Sequence, residues 1–146
     1  VFDGIEKAIS ADRYAFFTEF FKNFYNTDVF LGKRISEEAV RASWNLAAGA
    51  SAFASLACVP TWYEDFRKDV AKIDVPTLIL HGDADRILPI TASGERTGKL
   101  IKNAVYAVIK DGPHAINWTH ANEVNAKLVE FLGKGIAKRA ASFRGK

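Results

Sequence analysis

The chain has 146 residues, 49% of them hydrophobic, so it fits one domain with a buried core or part of a larger domain. No run approaches the roughly 20 apolar residues of a membrane span, and the first residues show no signal-peptide pattern. Because those residues also lack Met, we interpret them as internal sequence of a longer protein. The single cysteine, Cys58, excludes an intramolecular disulfide and favours a reducing cytoplasm.

The net charge of +3 arises at the carboxyl end of the sequence. Residues 133–146 hold five of the 20 Lys and Arg residues and no acid, which leaves 15 basic against 17 acidic residues over 1–132. A basic tail of this kind can bind nucleic acid or anionic lipid. We interpret it instead as a solvated helix end or as added sequence, and we expect neither nucleic acid nor membrane as a partner.

The first half of the sequence, 1–74, has a helical period and predicts a helical cap region of about four helices. The first helix covers 10–25, with Ser10 as its N-cap and an aromatic face at three-to-four spacing. The second opens at Ser36, directly ahead of two acidic residues. Residues 49–59 predict a short buried helix. A fourth helix follows, and its apolar face comprises Trp62, Phe66, Val70 and Ile73.

The second half changes to an alternation of strands and helices. The segments "PTLILHG" (76–82) and "AVYAVI" (104–109) are short apolar runs typical of buried parallel strands. Helices are predicted at about 90–102 and about 119–132. This β-α-β-α order predicts an α/β fold in which residues 75–132 are the end of a sheet. Two strands alone do not make a stable sheet, so we expect the upstream strands to be missing.

Two polar side chains, Asp85 and His114, follow the two predicted strands at their carboxyl ends. Chemistry in open α/β sheets collects at that end, and adjacent strands lie about 5 Å apart, so these side chains are expected to meet. A carboxylate fixes the tautomer of a neighbouring histidine, which then acts as a general base at neutral pH. The alternative is that Asp85, like Asp83, only caps a turn.

The nucleophile that such a pair would serve is not evident in the sequence. Ser51 and Ser93 are weak candidates, and Ser51 lies on a predicted helix rather than on a strand-to-helix turn. Cys58 is a third weak candidate, interpreted as a small core residue. His81 is interpreted as a core histidine, and His120 as a helix cap or a surface group. The sequence has no metal-ligand spacing and no phosphate-binding glycine loop, so we expect neither a metal nor a cofactor.

Stretches in both halves resemble one known family. The segments "VPTLILHGDADRILP" (75–89) and "GPHAINWTHANEVNAKLVEFL" (112–132) resemble the carboxyl-terminal half of α/β-hydrolases of the cofactor-free, non-haem haloperoxidase group. That group comprises chloroperoxidases and bromoperoxidases and is similar to aryl esterases and perhydrolases. The segment "DRYAFFTEFFKNFYN" (12–26) resembles the helical cap of the family, and the resemblance covers about 1–132. The departures from the family pattern are Asp111, Ala115 and Asn117.

The resemblance implies a Ser–Asp–His triad in that chain order, with Asp85 as the acid and His114 as the base. It implies that the serine, on a G-x-S-x-G turn, and the oxyanion hole lie upstream of Val1. The full enzyme is then expected to hydrolyse small esters, or to pass the acyl group to peroxide and form a peracid that oxidises halide. No haem or metal is implied. Ile87 and Leu88 are candidate walls of the substrate pocket or plain core residues.

Two interpretations of this chain on its own stay open. In the first, it is a fragment without the serine and the oxyanion hole, which shows negligible hydrolysis and assembles with itself through its exposed sheet edge and cap. In the second, it is one half of a split enzyme that becomes active when the amino-terminal half docks. We favour the first. A nucleic-acid binder that acts through the basic tail is a third and weaker alternative.

Overall fold

The computed structural model describes the backbone of residues 2–144 and the side chains of residues 2 and 4–134. The helical half begins with α1 (Phe2–Tyr25), α2 (Thr27–Phe30) and α3 (Glu37–Gly49). It continues with α4 (Ala52–Ala57), a 3₁₀ helix (Val59–Tyr63) and α5 (Arg67–Val70). The second half contains β1 (Leu78–Gly82), a 3₁₀ turn (Ile90–Ala92), α6 (Gly94–Leu100), β2 (Val105–Ile109), α7 (Ile116–Thr119) and α8 (Ala121–Arg144).

The element order of the second half confirms the predicted α/β fold. β1 and β2 pair in parallel, with Leu78 opposite Val105 and Gly82 opposite Ile109. α6 provides the crossover that parallel strands require, and α8 packs against both strands. The sheet has two strands within the described residues, so the chain contains a partial fold. The α8 backbone runs through most of the predicted basic tail, whose side chains from 135 onward lie outside the described residues.

The aromatic face of α1 forms the core of the helical half, in agreement with its spacing. Trp44 of α3 packs against this core and donates its indole N–H to the Tyr14 carbonyl at 3.2 Å. The core also includes Ala115, the neighbour of His114, so it reaches the loop that follows β2. Its buried members are Phe17, Phe21, Tyr25, Phe30, Ile35 and Ala115.

The N-cap predicted at Ser10 is wrong. Ser10 lies within α1, and the helix breaks instead at Asp12, whose φ of −159° and ψ of 97° are extended. Oδ1 of Asp12 accepts hydrogen bonds from the amides of Tyr14 (2.9 Å) and Ala15 (3.0 Å). A carboxylate is favoured here because its negative charge faces the positive end of the following helical segment. Ser36 caps α3 as predicted, because its hydroxyl accepts an amide hydrogen bond of the first turn.

We expect Asp12→Ala to lower the free energy of unfolding by about 1 kcal/mol, because two amides at a helix N-terminus lose their acceptor. Ser10→Ala is the matched control and is expected to change the free energy of unfolding by less than about 0.5 kcal/mol. Urea unfolding followed by circular dichroism measures both values. A larger loss for Ser10→Ala than for Asp12→Ala would contradict this assignment of the cap.

The helix predicted at 49–59 is shorter and more exposed than its composition suggested. α4 covers only its middle, and Phe53 is 82% exposed. Cys58, interpreted as a core residue, is exposed, whereas Val59 is fully buried. Small apolar residues predict burial, but no described element covers this face of α4. Among the described helices none alone has the length and apolar character to cross a membrane, although α3 and residues 52–63 meet that criterion as a pair bent by 97°.

The fourth predicted helix is also wrong. The 3₁₀ helix and the short α5 replace it, and residues 64–66 between them are irregular. Asp65 explains the break, because its carboxylate accepts hydrogen bonds from the Arg67 amide at 3.0 Å and from the Arg67 guanidinium. Local side-chain hydrogen bonds of this kind compete with the helical ladder. Trp62 and Phe66 are consequently 45% and 61% exposed instead of forming a buried face.

Candidate catalytic site

The loops that follow β1 and β2 touch each other through their main chains. The Asp83 amide donates to the Ile109 carbonyl at 3.2 Å, and the Ala84 amide donates to the Gly112 carbonyl at 3.0 Å. Gly82 makes this approach possible, since a Cβ at this position would lie 2.1 Å from the Gly112 carbonyl oxygen. The two loops are therefore fixed relative to each other at the carboxyl end of the sheet.

Asp85 is buried, with 3% of its side chain exposed, and both of its carboxylate oxygens have partners. Oδ1 accepts hydrogen bonds from the amides of Ile87 (2.8 Å) and Leu88 (2.9 Å), and Oδ2 lies 2.9 Å from His114 Nδ1. Burial raises the pKa of Asp85, but the hydrogen bonds from His114 and the two amides outweigh it and hold this pKa below its ordinary value. The carboxylate is therefore ionised at neutral pH.

His114 presents one ring nitrogen to this carboxylate. Because an ionised carboxylate can only accept a hydrogen bond, Nδ1 carries the proton and donates a hydrogen bond to Asp85. In the neutral ring Nε2 then has an available lone pair, and it makes no hydrogen bond within the described part of the chain. The ring packs on Phe24 with 4.9 Å between centroids, and 28% of the His114 side chain is exposed. An oriented, accessible lone pair is what proton abstraction requires.

The loop that carries Asp85 is anchored to the junction of α1 and α2. Asn26, at a left-handed φ of 48°, donates its side-chain amide to the Ala84 carbonyl at 2.9 Å. Arg86 donates two hydrogen bonds to Asp28, of 2.8 and 3.0 Å, and these bonds lower the pKa of the Asp28 carboxyl. The helical half is thereby connected, on both sides of Asp85, to residues 83–89 between β1 and the 3₁₀ turn, which we call the acid loop.

Ile87 and Leu88 hold Asp85 through their main-chain amides. The Ile87 side chain is partly buried, and Leu88 is 38% exposed. Their role as walls of a substrate pocket stays a prediction.

His120 does not lie at the surface. It is 3% exposed, its Nδ1 lies 2.9 Å from the Thr119 hydroxyl, and its ring packs edge-on against Phe30. Burial lowers the pKa of His120, and the positive charge of Arg34 lowers it further. The expected position before the last helix is correct, because the His120 carbonyl accepts the Val124 amide of α8.

His81 contacts the acid of the site, a contact that the sequence does not predict. Its side chain is 14% exposed, in line with a core histidine, but Nε2 lies 2.9 Å from the Leu88 carbonyl oxygen and 3.1 Å from Asp85 Oδ2. The available signal was its position four residues before Asp85, across the turn that ends β1. Strand alternation alone does not reveal that contact.

None of the weak nucleophile candidates hydrogen-bonds to His114. Ser51 caps α4, Ser93 donates to two main-chain carbonyls of its own turn, and Cys58 is exposed. Within the described residues, no group of three or more His, Cys, Asp or Glu side chains is arranged to hold a metal ion. Across the residues that the structure describes, the site is an oriented acid–base pair without a nucleophile hydrogen-bonded to it.

Comparisons with known proteins identify the family of the fold. A family model described as the α/β hydrolase fold matches residues 3–121. The "Putative non-heme chloroperoxidase" of Synechocystis sp. is 62% identical over 132 residues, and a non-heme haloperoxidase of Rhodococcus erythropolis is 36% identical over 134 residues. A bromoperoxidase crystal structure from Bacillus anthracis matches with a TM-score of 0.85 at 40% identity. Each of the three matches covers 90% of this chain and 48% of the other, so the chain spans about half the length of the curated relatives it matches.

Proposed function

Because the chain belongs to the α/β-hydrolase family, we propose that it is the carboxyl-terminal part of a serine esterase and perhydrolase of the non-haem haloperoxidase group. Asp85 and His114 are its catalytic acid and general base, and the nucleophilic serine and the oxyanion hole lie in the other part of the protein. The observation that carries the proposal is the 2.9 Å contact between His114 Nδ1 and the buried, ionised Asp85. The names of the relatives support it, and so does the finding that the chain covers only about half of each relative.

In the complete site, His114 Nε2 accepts the serine hydroxyl proton while the serine oxygen attacks the ester carbonyl. The alcohol leaves with that proton, and the acyl group stays on the serine. Water then attacks the acyl-enzyme and releases a carboxylic acid, with His114 again moving the proton. Hydrogen peroxide in place of water gives a peracid, which oxidises halide away from the site. Small esters, carboxylic acids and peroxide are the proposed substrates, and the proposed route uses neither haem nor metal.

For the isolated chain we propose self-association without catalysis. Val105 and Val108 of β2 are 49% and 47% exposed, so the short sheet has uncovered apolar surface. Exposed apolar surfaces and uncovered strand edges associate in water. The helical half adds further large apolar side chains that are more than half exposed, namely Leu46, Phe53, Tyr63 and Phe66.

The alternative is a split enzyme in which an amino-terminal half covers the same surfaces. A two-stranded sheet favours this alternative, because a sheet of that size gains stability from further strands. The acid–base pair is already assembled, so a docked half would need to supply only the serine and the oxyanion hole.

Size exclusion coupled to light scattering, with p-nitrophenyl acetate hydrolysis assayed across the peak, tests both proposals. The chain is measured alone and with the amino-terminal half of the Synechocystis relative, and a His114→Ala variant serves as the matched control. We expect the chain alone to form a discrete oligomer without turnover. A monomer would contradict self-association. Hydrolysis by the chain alone that disappears with His114→Ala would contradict a serine located elsewhere.

Hydrolysis that appears only in the mixture, and only with His114 intact, would support the split enzyme. A mixed complex that forms and stays inactive would contradict the proposed roles of Asp85 and His114.

A further inference from the structure

We propose that His81 is a positioning residue for the catalytic acid, which holds the Asp85 carboxylate so that Oδ2 faces His114. This inference rests on the proposed function. It concerns a third side chain that acts through the acid, because its contacts are with Leu88 and Asp85.

The proton on His81 is assigned by its neighbours. Nε2 lies 2.9 Å from the Leu88 carbonyl oxygen and 3.1 Å from Asp85 Oδ2. Both of these oxygens are acceptors, so Nε2 must carry the hydrogen. Its N–H donates to Leu88, and its positive end also faces the Asp85 carboxylate.

This donation closes a ring of contacts around the acid. The Leu88 carbonyl accepts from His81, while the Leu88 amide donates to Asp85 Oδ1. Leu88 is therefore held by His81 of β1 through its carbonyl oxygen, and it holds the Asp85 carboxylate through its amide nitrogen. Each carboxylate oxygen therefore has two N–H groups beside it, namely two main-chain amides at Oδ1 and two imidazole N–H groups at Oδ2. This number matches the roughly four lone-pair sites of a carboxylate.

The His81 ring is itself held in a tight slot. A Cβ at Gly94, the first residue of α6, would lie 2.5 Å from His81 Nδ1 and 2.9 Å from its Cγ. The main chain of α6 thus lies directly against the Nδ1 edge of the ring, whereas Nε2 contacts Leu88. A side chain of the same reach is needed to fill this slot and still donate at Nε2.

Two amide variants separate reach from polarity. Gln places its amide nitrogen near the Nε2 position of histidine, whereas Asn places it near the Nδ1 position, facing Gly94. We expect His81→Gln to keep the Leu88 contact and His81→Asn to lose it. Ser93→Ala is the control, because Ser93 also donates to the Leu88 carbonyl, at 3.2 Å, without reaching Asp85.

The first readout is the ¹⁵N NMR spectrum of the His114 imidazole in this chain. We expect wild type, His81→Gln and Ser93→Ala to show the Nδ1–H tautomer, and His81→Asn to show a mixture of tautomers. A pure Nδ1–H tautomer in His81→Asn would overturn the inference. Should His81→Asn fail to fold, His81→Leu provides the same test, because it fills the slot without a donor.

The second readout is kinetics in the complex with the amino-terminal half. We expect His81→Asn to lower kcat about 10- to 100-fold with KM little changed, the scale known for outer-shell partners of metal-site ligands. Wild-type activity in His81→Asn would also overturn the inference. If the tautomer changes as expected but no complex has activity, the proposed function fails while the positioning role stands.

Discussion

We expect Asp85→Asn to lower kcat for ester hydrolysis by about 10⁴-fold in the proposed complete enzyme, and His114→Ala to lower it by roughly 10⁶-fold, on the scale known for triads of this kind. The loss expected for Asp85→Asn follows from the different partners of the two carboxylate oxygens. The amides of Ile87 and Leu88 require an oxygen at the Oδ1 position, so the Asn NH₂ group must face His114 Nδ1. It then donates to Nδ1 and forces the proton onto Nε2, where a lone pair is needed to accept the serine proton.

The steady-state rate of p-nitrophenyl acetate hydrolysis by the chain mixed with the amino-terminal half of the Synechocystis relative measures this effect. Asp83→Asn is the matched control, because Asp83 is an exposed aspartate of the same loop, and we expect its kcat to stay within about twofold of wild type. Circular dichroism verifies that each variant is folded. An Asp85→Asn variant that keeps more than about a tenth of the wild-type kcat would show that Asp85 does not orient the base.

Gly82→Ala is expected to lower the free energy of unfolding by about 3 kcal/mol or more and to separate the acid loop from the loop after β2 that carries His114. The added Cβ would lie 2.1 Å from the Gly112 carbonyl oxygen, 2.5 Å from its carbonyl carbon and 2.8 Å from the Pro113 carbonyl oxygen. All three atoms belong to the main chain, so no side-chain rotation relieves the overlap. The loops must move apart, and the contact between Asp85 and His114 must lengthen.

Gly133→Ala is the matched control for this substitution. Gly133 lies within α8, and nothing stands within 4 Å of its Cβ position. Alanine favours the helix here and is expected to raise the free energy of unfolding by up to about 1 kcal/mol. Urea unfolding and the ¹⁵N signals of His114 measure both variants. A Gly82→Ala protein as stable as Gly133→Ala, with the wild-type His114 tautomer, would contradict the close approach of the loops.

The two strands, and the contact between Asp85 and His114 in the loops that follow them, were predictable because they follow from local sequence signals. Short apolar runs that end in turn residues define the strands, and parallel strands bring their carboxyl ends to one edge. Asp85 and His114 were therefore placed near each other from their spacing after the strands alone. The family resemblance added the expected serine upstream, the order of the triad and the expected ester chemistry, which no periodicity contains.

The errors arose where one polar side chain overrides a periodic pattern. Asp12 takes the cap expected at Ser10, because a charged acceptor can serve two amides. Asp65 ends a run whose apolar spacing predicts a continuous helix. The exposure of Cys58 has another cause, since burial depends on which elements cover a face and not on composition. The role of His81 depends on a contact across a turn, which spacing within a strand does not reveal.

The anchoring of the acid loop to the α1–α2 junction limits how the helical half can move in the proposed enzyme. Asn26 donates to the Ala84 carbonyl and Arg86 donates to the Asp28 carboxylate, so the junction is tied to the acid loop on either side of Asp85. A swing of the helices about residues 25–30 would break these ties and displace the acid from its base. Admission of substrate and readiness for proton transfer would then exclude each other. A helical half that opens while the pair stays assembled must therefore hinge elsewhere, in one of the short irregular segments between α3 and β1, such as residues 64–66 or 71–77.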